Sequence, residues 1–113
     1  MMKMVPQALM KKVARRFKLL GEPVRLEILN QLQAVGEMSV QQLVEATGQQ
    51  QANVSKHLGL LAGERLVIRR KEGLNAFYRI ADPTVSALCT LVCGQVRQEA
   101  LAAREVALGL QEE

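Results

Sequence analysis

The stretch SVQQLVEATGQQQANVSKHLGLLAGERLVIRRKEGLNAFYRI, residues 39–80, decides the fold of this chain. Ser39 followed by Gln42 is a capping-box pair, so a helix should start there, with Val40, Leu43, Val44 and Ala46 on its buried face. Thr47-Gly48 breaks that helix, and another resumes around Gln50 or Gln51 and ends near Gly63. Val67–Arg70 and Ala76–Ile80 are rich in branched and aromatic residues and read as a hairpin, with 71–75 as a flexible tip. A helix-turn-helix over about 39–63 and a basic wing over about 66–80 make a shape suited to straddling a DNA groove.

The second of these helices has two distinct sides. At about 100° per residue, Val54, Leu58 and Leu61 fall within a narrow arc that must face the core. Ala52, Lys56, Gly59 and Gly63 lie opposite, with Asn53 and Ser55 on the shoulders and Gln51 at the amino end. That outer face is small, polar and basic. Gln51 suits a paired hydrogen bond to adenine, Ala52 a thymine methyl, and Ser55 either purpose. Lys56 suits a phosphate or guanine, and Gly59 would admit close approach of a phosphate. An ordinary solvated helix surface would look similar, but not beside a helix-turn-helix and a cationic wing.

His57 is the sole histidine and lies about 60° from the buried arc. It reads as a packed, hydrogen-bonded side chain or a backbone contact at the groove edge, since no second histidine exists to share a metal. In the wing, Arg69, Arg70 and Lys71 are candidate contacts to the backbone or the minor groove. Strand alternation sends Arg69 and Lys71 one way and Arg70 the other, so not all three should touch DNA.

Outward from this segment, Leu9, Val13, Phe17 and Leu20 recur at helical spacing and predict a helix over about 7–20. Pro23 opens another, in which Leu26, Ile28, Leu29 and Leu32 should be largely buried before Gly36 stops it. Asp82 is placed to cap a long final helix over about 83–110, interrupted only by Gly94. Val85, Cys89, Val92, Cys93, Val96 and Ala100 line one side of it, a longer apolar stripe than so short a core can cover. A second copy of the chain would cover it, and Gly94 would let two helices approach closely. The expected fold class is therefore mainly α with a small β-hairpin, one domain over 1–113 that forms a homodimer.

Charge agrees with this layout. The chain of 113 residues has a net charge of +4, and residues 1–18 carry Lys3, Lys11, Lys12, Arg15, Arg16 and Lys18 without an acid. Lys56, Arg65, Arg69, Arg70, Lys71 and Arg79 form a second basic group, and the end of the chain is acidic. Such separation fits a polyanionic partner, although charge alone fits a solvated surface as well. No apolar run approaches the ~20 residues that span a bilayer. The opening MMKMVPQALMKK is broken by Lys3, Pro6 and Gln7, unlike a signal peptide, so the expected location is the cytoplasm.

The pieces FKLLGEPVRLEILNQL, MSVQQLVEATG, QANVSKHLGLLAGERLVIRRKEG and NAFYRI resemble the ArsR/SmtB family of bacterial winged helix-turn-helix transcriptional repressors, over about residues 10–95. The resemblance implies a homodimer, joined through its first and last helices, that binds an inverted-repeat operator in double-stranded DNA. It also implies release of the operator when a small inducer binds. Where the family often has serine at the start of the recognition helix, this chain has Gln50, a poor cap, so the first-turn contact with phosphate should differ.

Cys89 and Cys93, four apart, share one helix face. As free thiols in an apolar stripe they serve as small hydrophobes. Across a two-fold axis four thiols could instead hold zinc, a thiophilic metal or a metalloid ion, or react with oxidants and sulfur species. The lack of basic neighbours within 85–96 argues against high reactivity. No glycine-rich phosphate loop and no nucleophile with a base and orienting acid occur, so the chain does not read as an enzyme. The rival reading is a winged-helix module that binds an acidic protein, which predicts neither sequence preference on DNA nor dimer stoichiometry.

Overall fold

The computed structural model describes residues 4–109; Lys3 and the expected helix end at Leu110 lie outside them. Two compact units meet at the Asp82–Pro83 junction. The first contains α1 (Gln7–Leu20), α2 (Pro23–Val35), β1 (Met38–Ser39), α3 (Val40–Thr47), α4 (Gln51–Gly63), β2 (Val67–Glu72) and β3 (Asn75–Ile80). The second is a single helix, α5 (Pro83–Ala107).

Local chemistry explains most boundaries in the first unit. Pro23 sits in the first turn of α2, and the Glu22 carboxylate caps it by accepting from the Arg25 backbone N–H at 2.9 Å. That bond, ahead of the nearby positive charges, holds the Glu22 carboxyl below its ordinary pKa. At α3 both halves of the capping box form: Gln42 N–H donates to Ser39 Oγ at 3.1 Å, and Ser39 N–H to Gln42 Oε1 at 2.8 Å. Gly48 then takes φ 73°, a left-handed stop that returns its N–H to the Val44 carbonyl at 2.9 Å.

The end of α4 closes in a Schellman motif. Arg65 N–H reaches the Ala62 carbonyl and Leu66 N–H the Leu61 carbonyl, both at 3.0 Å. The left-handed position, usually glycine, is Arg65 with φ 62°. Leu61 and Leu66, at the two ends of that motif, are both fully buried and anchor it to the core.

Ile28, Leu29 and Leu32 of α2, Leu43 of α3, and Val54, Leu58 and Leu61 of α4 form that core with Leu66, Val67 and Met38. Each such side chain contributes about 1.5–3 kcal/mol by leaving water. Two expected members are absent: Leu26 and Ala46 lie on the exposed sides of α2 and α3. At about 100° per residue, Leu26 falls about 110° from the centre of the Ile28, Leu29 and Leu32 arc. Ala46 falls about as far from that of Leu43, Val44 and Thr47, so neither turns inward.

The sheet is three-stranded and antiparallel, in the order β1-β3-β2. Met38 pairs with Tyr78 and Ser39 with Phe77, a short strand that the sequence did not betray. The hairpin is also tighter than expected. Lys71 and Glu72 continue β2, Asn75 opens β3, and Gly73-Leu74 make a two-residue turn with Gly73 at φ 62°. A glycine at the first central position is what a II′ turn requires, so no flexible tip is needed.

Apolar surface remains on two helices. α1 has no buried residue, and Leu9, Met10 and Phe17 are exposed on it. On α5, Leu91, Val92, Val96, Leu101 and Val106 are exposed along a helix that runs through Gly94 without a break.

Candidate nucleic-acid interface

α4 begins at Gln51, behind Gln50, whose extended backbone (φ −71°, ψ 152°) forms the cap without any side-chain hydrogen bond. The Gln50 carbonyl accepts from Asn53 and Val54 N–H at 3.0 Å, leaving the N–H groups of Gln51 and Ala52 pointing out of the helix end. Gln51, Ala52, Ser55, Lys56 and Gly59 are all exposed, and no acid occurs within the helix. Lys56 forms no ion pair among the described residues. Nothing lies within 4 Å of where a Gly59 Cβ would stand, so backbone there is open to an approaching group.

Asn53 is half-buried and tied down, its amide donating to Gln49 Oε1 at 2.8 Å. Gln49 is held in turn, its N–H donating to Thr47 Oγ1 at 3.3 Å. Gly48, Gln49, Gln50, Ala52, Asn53 and Lys56 thus line a concavity at the turn between α3 and α4. The turn is stiffened by its own side chains, and the outward groups of α4 are fixed relative to it.

His57 does not belong to this face. Only 6% of it is exposed, and its Nδ1 faces Arg25 Nη1 at 3.1 Å. Since a guanidinium only donates, Nδ1 is the acceptor and the ring is neutral. Burial lowers the imidazole pKa most; Glu22 opposes it, and Arg25 and Lys56 reinforce it. The packed reading of His57 is therefore the one the geometry takes. Arg25, which sequence reasoning passed over, also donates from Nε to the Leu19 carbonyl at 2.6 Å and from Nη2 to the Lys18 carbonyl at 3.5 Å. One guanidinium binds the end of α1 to the recognition helix. Only the fold brings position 25 to position 57, so no local pattern could have marked it.

In the wing, Arg69 and Lys71 are exposed without ion pairs among the described residues. Arg70, counted with them on sequence grounds, is engaged by carboxylates. Its Nε and Nη2 meet Glu37 Oε2 and Oε1 at 3.1 and 2.9 Å, and Nη1 meets Glu72 Oε1 at 3.2 Å. The Phe77 ring lies 4.9 Å from its Cζ. Those bonds raise the Arg70 pKa, and the Arg70 bond draws the Glu37 carboxyl down.

Cys89 and Cys93 are free thiols on α5, Cys89 partly covered and Cys93 exposed. Burial, then the neighbouring Cys93, pushes the Cys89 thiol up. Among the described residues no group of three or more His, Cys, Asp or Glu could hold a metal ion, so one chain does not complete a metal site. No helix among them is long and apolar enough to cross a membrane.

Residues 22–69 match the family described as bacterial regulatory protein, arsR family. An uncharacterized HTH-type transcriptional regulator of Methanocaldococcus jannaschii is 38% identical over 81 residues, which cover 72% of this chain and 91% of that one. Two longer regulators of Mycobacterium tuberculosis are spanned for 37% and 58% of their length. Among solved structures, the antimony-specific transcriptional repressor AntR superposes with a TM-score of 0.81 at 29% identity, over 88% of this chain and 90% of that one. A homodimeric winged helix-turn-helix DNA-binding domain from Mycobacterium bovis gives 0.69 at 34% identity, over 93% and 92%.

Proposed function

This chain belongs to the arsR family of bacterial regulatory proteins, a family of transcriptional regulators and not of enzymes, and on that premise we propose how it works. It acts as a homodimeric repressor in the cytoplasm, laying two copies of the α4 face into successive major grooves of an inverted-repeat operator. The observation that carries the reading is the outer face of α4: exposed, free of acids and braced by the helix-turn. Gln51, Ala52 and Ser55 address base edges, Lys56 and the uncapped end behind Gln50 address phosphate, and Arg69 and Lys71 of the wing follow the backbone. His57 and Asn53 support the face from beneath.

A dimer is part of the reading because one chain offers one recognition helix. A two-fold pair sets two of them about 34 Å apart, one turn of DNA. The apolar surfaces left open on α1 and α5 are where the second copy would pack. Within one chain the two thiols fall short of a metal site, so no metal-dependent step is assigned. The pair remains the candidate inducer site, and comparison of wild type with Cys89→Ser/Cys93→Ser under thiophilic metals, arsenite, peroxide and polysulfide decides it. Loss of operator release in the double variant alone supports sensing; equal response of both proteins refutes it.

The repressor reading itself is tested by mobility shift on inverted-repeat and scrambled duplexes, with the mass of the complex from sedimentation. Two chains per site and a preference for the inverted repeat are expected. Equal affinity for both duplexes, or a complex with one chain, would favour the protein-binding rival.

A further inference from the structure

We propose that Arg70 is a positioning residue of the wing and not one of its DNA contacts, setting the pitch from which Arg69 and Lys71 meet the duplex. This rests on the DNA-binding reading above. A two-stranded ribbon is marginal in water by itself. Here the third strand, β1, adds two residues only. Arg70 supplies a further tie: from the outer strand β2 it passes over Phe77 of the central strand β3 to Glu37, just ahead of β1. A side chain from one edge strand thereby clamps the whole width of the sheet.

The chemistry of the clamp excludes a phosphate. Three of the guanidinium's donors already meet carboxylate oxygens, two of them as a fork on Glu37. Its Cζ stands over the Phe77 ring, 4.9 Å from the centroid. The two carboxylates offset Arg70 and nearby Arg79, so the spot offers a polyanion no net attraction. Because neighbouring strand residues face opposite ways, fixing Arg70 on one side of β2 holds Arg69 and Lys71 to the other. A bidentate fork has the geometry in which a surface ion pair does contribute.

Glu37→Gln separates this from a charge effect. Electrostatics alone predicts tighter DNA binding once an acid is removed; loss of the clamp predicts weaker binding. Because a two-fold complex loses the pair twice, operator affinity measured across a salt series should fall about two- to thirtyfold for Glu37→Gln. Arg70→Lys, which keeps the charge and loses the fork, should fall alike, and both should keep the wild-type salt slope. Arg69→Ala/Lys71→Ala should flatten that slope by about 0.9 for each phosphate lost. Tighter or unchanged binding by Glu37→Gln, full activity of Arg70→Lys, or a flattened slope in either would overturn the proposal while leaving the wing on DNA. Wild-type affinity and slope in Arg69→Ala/Lys71→Ala would remove the wing from DNA altogether, and the clamp's role with it.

Discussion

Replacing Lys56 by alanine removes one cation from the centre of the α4 face and little else, since the ammonium has no ion-pair partner among the described residues. Folding should be spared, and alanine is a good helix former at an exposed site. In a two-fold complex the substitution occurs twice, so two phosphate contacts are lost. Each contact releases about 0.9 of a counterion, so the slope of log affinity against log salt should flatten by about 1.8. Over the range from about 50 to 200 mM salt, the wild type should therefore lose about twelvefold more affinity than the variant. Fluorescence anisotropy of a labelled operator at four or five salt concentrations measures this directly. Parallel lines for the two proteins would show that Lys56 meets no phosphate. A flattening near 0.9 would mean that only one of the two copies does.

Acid should destabilise the fold in a window set by His57. Its folded pKa lies below the ordinary 6.5, so as pH falls through 6.5 the unfolded chain takes up a proton first and stability drops. Thermal melts between about pH 7.5 and 5.5 should show a falling midpoint, and His57→Gln should flatten the curve, while Glu22 and Glu37 stay ionised throughout. A wild-type midpoint constant over that range would contradict the neutral, Arg25-bound ring. Arg65→Gly should raise stability by about 0.5–1 kcal/mol, because glycine enters the left-handed position without the cost an L side chain carries, offset partly by its freer unfolded state. A urea midpoint unchanged or lowered would mean that the Arg65 side chain holds something the backbone geometry does not reveal.

The elements that repeat a pattern were legible in the sequence. Leu9 to Leu20, Ile28 to Leu32 and Val54 to Leu61 announce helices by spacing, and Ser39 with Gln42 announces a helix start by chemistry. β1 was not legible, because two residues cannot establish an alternation, and its existence depends on Phe77 and Tyr78 nearly forty positions away. The outward face of α4 followed from helical geometry alone. His57 and Arg70 needed partners: an imidazole at the edge of an apolar arc becomes a core residue once Arg25 reaches it, and a wing arginine becomes a brace once Glu37 does. Charge and periodicity locate a side chain on its own element. They do not say what another element brings to meet it.

Ser39 holds two positions at once, as the last residue of β1 opposite Phe77 and as the cap of α3 through Gln42. A slip of β1 by one residue along β3 would break the ladder and pull the hydroxyl off the first turn of α3, forfeiting about 1 kcal/mol of cap besides. The sheet is thereby indexed to the helix-turn like a key cut for one ward. Neither β3 nor the wing it carries can therefore shift along β1 without disturbing the start of α3.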